Sequence, residues 1–412
     1  MISQLDQPTR LQIRMTGPKL QEMPPSFART SLEHTVRSKL EHYPVVALLG
    51  ARQVGKTHLA QRFASEERNY FDLEDTVQRV ALEDHASSIL RGLSGWVVID
   101  EVQELPHLFP LLRVLADRDP LPARFIILGS VSPNIIKGIS ESLAGRVAVI
   151  EMGGFDLTDT GADDWRTLWL RGGFPRSYLA PDDALSFEWR ENYLDQLIGR
   201  DIRIWSDLRL QPGMARRLLL LLADSSGKSW NYSSAAQDLG IDPKTVQRYV
   251  EVLEAAFLIR RLMVFETNTR KRLRKAPTLH FRDSGALHTI LGIPDLERLE
   301  IDRHRGHTWE SFCVDQIIRL TRTRAEYCFT WSVQSGPEID LILNRPTGRW
   351  GFEIKSNDAP RVSTELRKLS AELALEALYI VRPGKGELDL GDGIISLGIE
   401  QLPEVAQKIA IA

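Results

Sequence analysis

The sequence has few cysteines, no long apolar run and almost no net charge. Its two cysteines, Cys313 and Cys328, lie in no C-x-x-C or Cys/His spacing that would hold zinc. No apolar stretch reaches the roughly 18 residues of a membrane-spanning helix, and the first residues lack the apolar segment of a secretion signal. We therefore expect a cytoplasmic protein with reduced thiols that is neither exported nor embedded in a membrane.

The composition is that of an ordinary globular protein. Hydrophobic residues make up 43% of the chain and charged residues 26%, and the formal net charge is -3. This balance argues against disorder and leaves nucleic-acid binding to be decided by local clusters of basic residues. A length of 412 residues is enough for two or three domains, each with its own core.

Short apolar strands alternate with helical patterns in the first third of the chain, which predicts a parallel sheet covered by helices on both faces. Four segments have the pattern of strands: "VVALLG", "NYFDLED", "GWVVIDEV" and "ARFIILGS". We predict an irregular lead-in at residues 1–28 and a first α/β domain at 29–153. A helical middle domain at 154–304 and a second α/β domain at 305–412 follow.

The loop "GARQVGKT" after the first predicted strand matches G-x-x-x-x-G-K-[ST] in full. Its glycines let backbone N–H groups face phosphates, Lys56 can reach the β- and γ-phosphates, and the Thr57 hydroxyl can bind Mg²⁺. The sequence therefore predicts an ATP-binding P-loop. Its residues are Gly50, Ala51, Arg52, Gln53, Val54, Gly55, Lys56, Thr57 and His58.

Four further residues complete the predicted ATPase site. The strand "WVVIDEVQ" ends in Asp100, which would join the Mg²⁺ shell, and Glu101, which would orient or deprotonate the attacking water. Ser130 is predicted to sense the γ-phosphate or, alternatively, only to cap a helix. Arg146 in "SLAGRV" either stabilises the transferring phosphoryl group, in its own subunit or a neighbouring one, or is a plain surface arginine.

A second group of charged residues lies near the C-terminus. Strand alternation places Asp340 of "EIDLIL" on the opposite face from its two apolar neighbours, and it places Glu353 and Lys355 of "GFEIK" on one face. Adjacent strands would gather these side chains, with Glu310 from an upstream helix, into a site for a second Mg²⁺ or Mn²⁺ beside a lysine. The spacing is the D-x(n)-E-x-K signature of restriction-endonuclease-like nucleases. The alternative is an edge strand with a solvated E-x-K.

The middle segment contains a helix–turn–helix pattern followed by a basic run. The second helix, from Pro243 to about Ala255, is predicted to bury valines and leucine and to expose Lys244, Gln247 and Arg248. The run "NTRKRLRK" would grip phosphates through Arg270, Lys271 and Arg272. These features predict DNA as a partner, or else a solvated basic loop or a surface on which another domain docks.

Taken together, these residues resemble the bacterial and archaeal AAA-type P-loop ATPases that carry a winged-helix segment and a restriction-endonuclease-like C-terminal domain. The similarity runs from about Tyr43 to Val381. It rests on "GARQVGKTHLAQ", "VVIDEVQELP", "SLAGR", "RGGFPRSYL", "TVQRYVEVLEAAFLIRRL", "FRDSGA", "WESFC", "EIDLIL" and "FEIK", in that order. The resemblance implies an α/β fold of these three domains, with ATP binding and hydrolysis.

Three functions agree with the sequence. The preferred one is an ATP-hydrolysing protein, coupled through a winged helix to a nuclease-like module that engages nucleic acid. The second is a signalling or scaffold switch, in which ATP controls partner recruitment and the C-terminal domain is silent. The third is a metal-dependent DNA nuclease with structural ATP. A homo-oligomer is compatible with all three, and the sequence does not identify a protein partner.

Overall fold

The computed structural model describes residues 29–129, 133–201, 211–266, 275–332, 336–357 and 362–411. The lead-in at residues 1–28 lies outside these ranges, and so do four predicted site residues, Ser130, Arg270, Lys271 and Arg272. Within the described ranges, no helix combines the length and apolarity needed to cross a bilayer.

Five parallel strands form the first sheet, in the order β2-β3-β4-β1-β5. The strands are β1 (Val45–Leu49), β2 (Tyr70–Asp72), β3 (Gly95–Asp100), β4 (Ala123–Gly129) and β5 (Val147–Glu151). The helices are α1 (Thr30–His42), α2 (Lys56–Gln61), α3 (Thr76–Arg91), α4 (Leu108–Ala116) and α5 (Pro133–Ser142). All side chains of β1 are buried, because separate apolar clusters cover the two faces of the sheet.

The four predicted strands are confirmed, and β5 is an additional strand that the prediction does not include. It lies at the edge of the sheet, where Ala148 and Ile150 are buried whereas Val149 is 53% exposed. An alternating pattern of this kind differs from the continuous apolar runs of the central strands, and only such runs predict a strand buried on both faces.

Helices α6 to α12 follow the first sheet. They are α6 (Leu157–Thr160), α7 (Trp165–Arg171), α8 (Pro175–Tyr178), α9 (Asp183–Gln196), α10 (Pro212–Asp224), α11 (Tyr232–Leu239) and α12 (Pro243–Ala255). Gly240 ends α11 with a φ of 69°, and the Asp242 carboxylate accepts a hydrogen bond from the Thr245 N–H at 3.0 Å to begin α12. The two predicted helices and the turn between them are confirmed.

The second sheet has eight strands in the order β12-β13-β11-β10-β9-β8-β6-β7. The strands are β6 (Ile259–Val264), β7 (Thr278–Phe281), β8 (Cys328–Trp331), β9 (Ile339–Arg345), β10 (Gly348–Ile354), β11 (Ala377–Arg382), β12 (Glu387–Asp389) and β13 (Ile394–Gly398). The helices are α13 (Ser284–Ile290), α14 (Leu296–Ile301), α15 (Arg305–Leu320), α16 (Thr364–Glu372) and α17 (Leu402–Ile411).

This second sheet crosses the boundary predicted between residues 304 and 305. Strands β6 and β7 form an antiparallel hairpin, and Met263 on β6 pairs in parallel with Phe329 on β8. Hydrophobic clusters cross the predicted boundaries as well: one contains Ile150 and Leu218, and another contains Trp169 and Trp309. The middle segment is therefore packed into both sheets rather than forming an isolated unit.

Candidate functional sites

The P-loop connects β1 to α2 and takes a shape that only glycine permits at two positions. Gly55 has a φ of +91°, and a Cβ at Gly50 would lie 2.1 Å from the carbonyl oxygen of Met152. The Lys56 ammonium donates to the carbonyl oxygens of Gly50 and Ala51, at 3.1 and 2.9 Å. Burial lowers the pKa of Lys56, although Glu101 and Asp100 act in the opposite direction. The lysine is thus held inside the loop that would receive phosphates.

Asp100, at the carboxyl end of β3, is the centre of a hydrogen-bonded group. Its Oδ2 accepts hydrogen bonds from the hydroxyls of Thr57, at 2.6 Å, and Tyr70, at 2.8 Å. Its Oδ1 accepts from the Glu101 N–H at 2.9 Å. Burial raises the pKa of Asp100, and the two hydroxyl donors act against that rise. The structure therefore brings together Thr57 and Asp100, the two residues expected to hold Mg²⁺.

Glu101 follows directly and has left-handed backbone torsions, with a φ of 51°. This backbone directs the chain away from the strand, and the Gln103 amide donates to Glu101 Oε2. Glu101 is half-buried, and its negative charge lies close enough to Lys56 to act against the lowering of the pKa of that lysine. One oxygen of the Glu101 carboxylate is thus held by Gln103 close to the loop that carries Lys56.

The remaining loop residues surround this centre. Gln53 has a φ of 63°, Arg52 is close enough to Lys56 for its charge to lower that pKa, and His58 lies half-buried on α2. The carbonyl oxygen of Val54 accepts a hydrogen bond from Arg29 at 3.2 Å.

Arg29 and Tyr70 were not among the predicted site residues. Arg29 is 6% exposed; it donates to the carbonyls of Gly153 and Gly154, at 2.9 and 2.7 Å, and pairs with Asp159 at 3.2 Å. It therefore ties the P-loop to the segment that follows β5. Tyr70 could have been suspected from its position on the strand next to β3, but no sequence motif identifies Arg29.

Arg146 is not near the P-loop of its own chain. It immediately precedes β5, and Val147 pairs with Val45, so it lies at the opposite end of the sheet from the loop that follows Leu49. A strand of this length spans about 16 Å. The Arg146 guanidinium forms two hydrogen bonds to the Asp117 carboxylate, at 2.6 and 2.8 Å. The prediction that Arg146 acts on phosphate in its own subunit is therefore wrong.

The C-terminal carboxylates lie at an irregularity of β9. Phe329 pairs with Ile342 and Trp331 with Ile339, so three residue steps on β9 face two on β8, which is a β-bulge at Asp340. Ile339 and Leu341 consequently pack in different apolar clusters. The predicted simple alternation at Asp340 is wrong, because the bulge interrupts it.

The bulge gives the Asp340 carboxylate a backbone partner. Its Oδ2 accepts a hydrogen bond from the Ile354 N–H at 2.6 Å. Next to it, Glu353 Oε1 accepts from the Lys355 ammonium at 2.5 Å, which confirms that these two side chains share one face. Glu353 Oε2 is buried without a hydrogen-bond partner in the described part of the chain. One oxygen of each carboxylate therefore accepts a hydrogen bond, and no hydrogen bond from the described residues reaches the other oxygen.

Glu310 lies on α15 close enough for the other charges to affect it. Burial, followed by the charges of Asp340 and Glu353, raises its pKa well above the usual value. Burial also raises the pKa of Asp340, and Glu353 raises it further. Nevertheless, within the described ranges no three His, Cys, Asp or Glu side chains form a group that could hold a metal ion. The predicted set of Glu310, Asp340 and Glu353 as three metal ligands is therefore not assembled in this structure.

The outward face of α12 agrees with the prediction. Lys244, Gln247 and Arg248 are exposed, whereas Val246 and Val250 are fully buried. The Gln247 amide donates to a glutamate one turn further along the helix, at 3.0 Å. The basic run that would extend this surface lies outside the described residues except for its last member, Lys275, which pairs with Glu266 at 2.8 Å.

Three family models match successive parts of the chain. A model described as "AAA domain" matches residues 42–160. Models described as "Domain of unknown function (DUF8612)" and "Domain of unknown function (DUF4143)" match residues 162–297 and 305–402. The first match coincides with the parallel sheet and the P-loop. The N-terminal part of the molecule is thus an AAA-type P-loop ATPase domain.

Two curated proteins are similar over most of the chain. They are uncharacterized proteins of Mycobacterium tuberculosis and Mycobacterium bovis, each 37% identical over 368 residues, which is 89% of this chain and 82% of theirs. The chain belongs to the same family as these two mycobacterial proteins.

Parts of the chain are also similar to solved structures. The Walker-type ATPase of Pyrococcus abyssi has a TM-score of 0.43 at 18% identity, covering 64% of this chain and 96% of its own. The RuvB Holliday junction branch migration motor of Thermotoga maritima has a TM-score of 0.29 at 18% identity, covering 59% of this chain and 94% of its own.

Proposed function

We propose that the protein hydrolyses ATP at the P-loop site and that this reaction controls how the C-terminal part engages DNA. The observation that carries the first half is the hydrogen bond between Thr57 and Asp100, with Lys56 close enough for the charges of Asp100 and Glu101 to act on it. The donor set of one hydroxyl and one carboxylate suits Mg²⁺, which would neutralise phosphate charge when bound. Lys56 then exchanges its two carbonyl partners for phosphate oxygens, and Glu101 accepts a proton from water.

The link between the two halves rests on two arginines, Arg29 and Arg319, that share a backbone carbonyl as acceptor. Arg29 donates to the Val54 carbonyl of the P-loop and to the Gly154 carbonyl. Arg319, near the end of α15, donates to the same Gly154 carbonyl and to the Phe155 carbonyl, the latter at 3.1 Å. Glu310 lies nine residues earlier on that helix, about 13 Å along its axis. A change in the P-loop would therefore act on the helix that carries Glu310.

The C-terminal part is proposed to hold a divalent cation and to engage a nucleic-acid strand. Asp340 and Glu353 would hold Mg²⁺ or Mn²⁺ through the oxygens that are not engaged by Ile354 and Lys355. The buried Glu353 Oε2 without a partner supports this assignment. The helix pair α11–α12 with the β6–β7 hairpin is proposed as a winged helix, whose Arg248 contacts phosphate.

A silent C-terminal domain is the second candidate. The Lys355–Glu353 ion pair and the lack of a three-ligand group in the described residues favour it, because a cation would have to displace or share existing contacts. In that case ATP binding alone would switch partner recruitment.

An assay of ATP turnover with and without DNA separates these functions. We expect Mg²⁺-dependent hydrolysis that DNA alters, and no hydrolysis by Lys56→Ala. If wild-type protein hydrolyses no ATP under any condition, the proposal of ATP hydrolysis is wrong.

Gel shifts at several salt concentrations test the role of Arg248. The Arg248→Glu substitution should weaken DNA binding and reduce its salt dependence. Unchanged binding would favour a docking role for this helix.

Cleavage is tested on supercoiled plasmid with Mn²⁺, with and without ATP. We expect nicking by the wild type, slower nicking by Lys355→Ala, and none by Asp340→Asn or Glu353→Gln. If the wild type nicks nothing, the silent domain is the better description. Nicking that persists in both carboxylate variants would come from another site or from a contaminating nuclease.

An oligomer is proposed because of Arg146. Its ion pair with Asp117 lies at the far end of the sheet from the protein's own P-loop, so any action of Arg146 on phosphate would be at the site of a neighbouring copy. Sedimentation of the protein with and without ATP tests this, and a monomer under both conditions would leave Arg146 as a surface ion pair.

A further inference from the structure

A buried chain of hydrogen bonds lies behind Glu310. Ser226 Oγ and Ser311 Oγ are 2.8 Å apart, and Ser311 Oγ is 3.2 Å from His280 Nδ1. His280 is 1% exposed, and both serines are fully buried. The second ring nitrogen, Nε2, has no hydrogen-bond partner among the described residues and lies 4.0 Å from Glu310 Oε1. A buried ring nitrogen without a partner is costly and calls for an explanation.

The same part of the chain encloses Glu310 from a second side. A Cβ at Gly227 would lie 2.8 and 2.9 Å from the two oxygens of the Glu310 carboxylate, and Gly227 has a φ of +78°. Gly227 follows Ser226 directly, and its N–H donates to the carbonyl of Leu279, next to His280. Strand β7 and this turn belong to the middle segment, whereas Glu310 belongs to α15. Two parts of the sequence therefore meet at this carboxylate.

We propose that His280 is a positioning residue for Glu310, so that the middle segment completes the C-terminal carboxylate site. The Ser226 hydroxyl donates to Ser311, and the Ser311 hydroxyl donates to Nδ1. The imidazole proton then lies on Nε2 and faces Glu310. The present separation is longer than a hydrogen bond, and a movement of about 1 Å by the carboxylate forms one.

This role gives Glu310 a defined direction, in which one oxygen faces His280 and the other is free for a divalent cation. The inference rests on the proposed cation site of Asp340 and Glu353; Glu310 does not form a ligand group with them in its present position and would add an oxygen only after its carboxylate moves onto His280. Outer contacts of this kind orient the groups that hold a metal and typically change its affinity about tenfold or more. Without the contacts from the middle segment, Glu310 would therefore contribute less to the affinity of the site for a cation.

Two amide substitutions distinguish the ring nitrogens. His280→Gln retains a nitrogen near the position of Nε2, whereas His280→Asn retains one near Nδ1 only. Mn²⁺ binding to the full chain, measured by electron paramagnetic resonance without nucleotide, should weaken about tenfold in His280→Asn and His280→Phe. His280→Gln should stay within about threefold of the wild type. Equal losses in all three variants would show a packing role and overturn the proposal.

A pair of glycines provides the matched control. Gly227→Ala and Gly240→Ala both place a side chain at positive φ, +78° and +69°, but nothing lies within 4 Å of a Cβ at Gly240. Both should lower the melting temperature, and only Gly227→Ala should weaken Mn²⁺ binding. Equal Mn²⁺ affinity in the two variants would count against the enclosure of Glu310.

The tautomer of His280 decides the proposal independently of any metal. Nitrogen-15 NMR of histidine-labelled protein, assigned with His280→Gln, should show the proton on Nε2. A proton on Nδ1 would overturn the proposal. If the wild type binds no Mn²⁺, the proposed cation site fails, while the tautomer still decides whether His280 faces Glu310 as a donor.

Discussion

The two carboxylate sites of the molecule differ in how their charges are compensated. At the P-loop, the Asp100 carboxylate accepts hydrogen bonds from two hydroxyls and a backbone N–H. At the C-terminal site, Asp340 accepts one hydrogen bond from the described residues, a backbone N–H, and its pKa is raised by burial and then by the charge of Glu353. The first site is preorganised by hydrogen bonds, whereas the second retains repulsion that a cation would relieve. Substitutions at equivalent positions should therefore have different effects.

The two lysines offer the largest contrast. Lys56→Ala should weaken ATP binding by about a hundredfold or more, because it removes the charge that pairs with the β- and γ-phosphates. Lys355→Ala should leave ATP affinity unchanged, since Lys355 contacts Glu353 on the other sheet. Calorimetric titration measures both, with the exposed Lys39→Ala as a control from the same domain. Wild-type affinity in Lys56→Ala would remove the P-loop assignment.

Substitution of the two glutamates, Glu101 and Glu353, should also have different effects on ATP hydrolysis. Glu101→Gln should bind ATP normally while kcat falls about 10²- to 10³-fold, because an amide cannot accept the proton of the attacking water. Glu353→Gln should leave the kcat for ATP close to wild type in the absence of DNA. Steady-state phosphate release checks both variants. The neighbouring Glu104→Gln is the control, because Glu104 is exposed and its carboxylate pairs with Arg79, at 3.7 Å. A wild-type kcat in Glu101→Gln would exclude Glu101 as the base.

The two aspartates should change stability in opposite directions. Asp100→Asn should destabilise the protein by about 1–3 kcal/mol, because the new amide would face a hydroxyl donor. Asp340→Asn should stabilise it by about 1 kcal/mol in buffer without divalent cations, because one of the repelling charges is removed. Denaturant unfolding measures both. Destabilisation by Asp340→Asn would show that its bond to Ile354 outweighs the repulsion.

The pH dependence of the Asp340→Asn effect follows from the raised pKa of Asp340. A carboxyl whose pKa is higher in the folded than in the unfolded state costs stability above its unfolded pKa, and the cost disappears below that value. The gain from Asp340→Asn should therefore be present at neutral pH and vanish below about pH 4. A gain that is independent of pH would point to packing rather than charge.

The sequence predicts the first site better than the second for a physical reason. The P-loop and Lys56 lie on one βα unit, and Asp100 ends another strand of the same parallel sheet, so they meet at the edge where the carboxyl ends of these strands lie. The edge strand β5 lacks a continuous apolar run. The bulge at Asp340 depends on pairing with β8, and the position of Arg29 depends on contacts with residues more than a hundred positions away. Such features come from tertiary packing and leave no local pattern.

The β6–β7 hairpin shows the same limit at the level of domains. The change from helical to α/β patterns near residue 305 suggests a boundary, yet Met263 pairs with Phe329 across it. Strand pairing between distant segments is not encoded by the periodicity of either segment. This pairing brings β7, with His280, next to α15 and Glu310, and the C-terminal site therefore cannot be read from the last hundred residues alone.

We expect the smallest effect from substitution of Tyr70. This substitution tests how far hydrogen bonds preorganise the P-loop site. Its hydroxyl donates to Asp100 Oδ2 and also interacts with the Gln61 side chain on α2, so it joins the P-loop helix to the carboxylate that would face Mg²⁺. Tyr70→Phe removes one hydrogen bond worth about 0.5–1.5 kcal/mol, while Thr57 still donates to the same oxygen.

We therefore expect the Mg²⁺ concentration for half-maximal ATP hydrolysis to rise about threefold to tenfold in Tyr70→Phe, with kcat at saturating Mg²⁺ unchanged. Tyr232→Phe is the matched control, because its hydroxyl bonds to Arg261, away from the nucleotide site. A fall in kcat at saturating Mg²⁺ would place Tyr70 in the chemical step. An unchanged Mg²⁺ requirement would show that Thr57 and the Glu101 N–H orient Asp100 without it, and that the preorganisation of the first site needs fewer contacts than the structure provides.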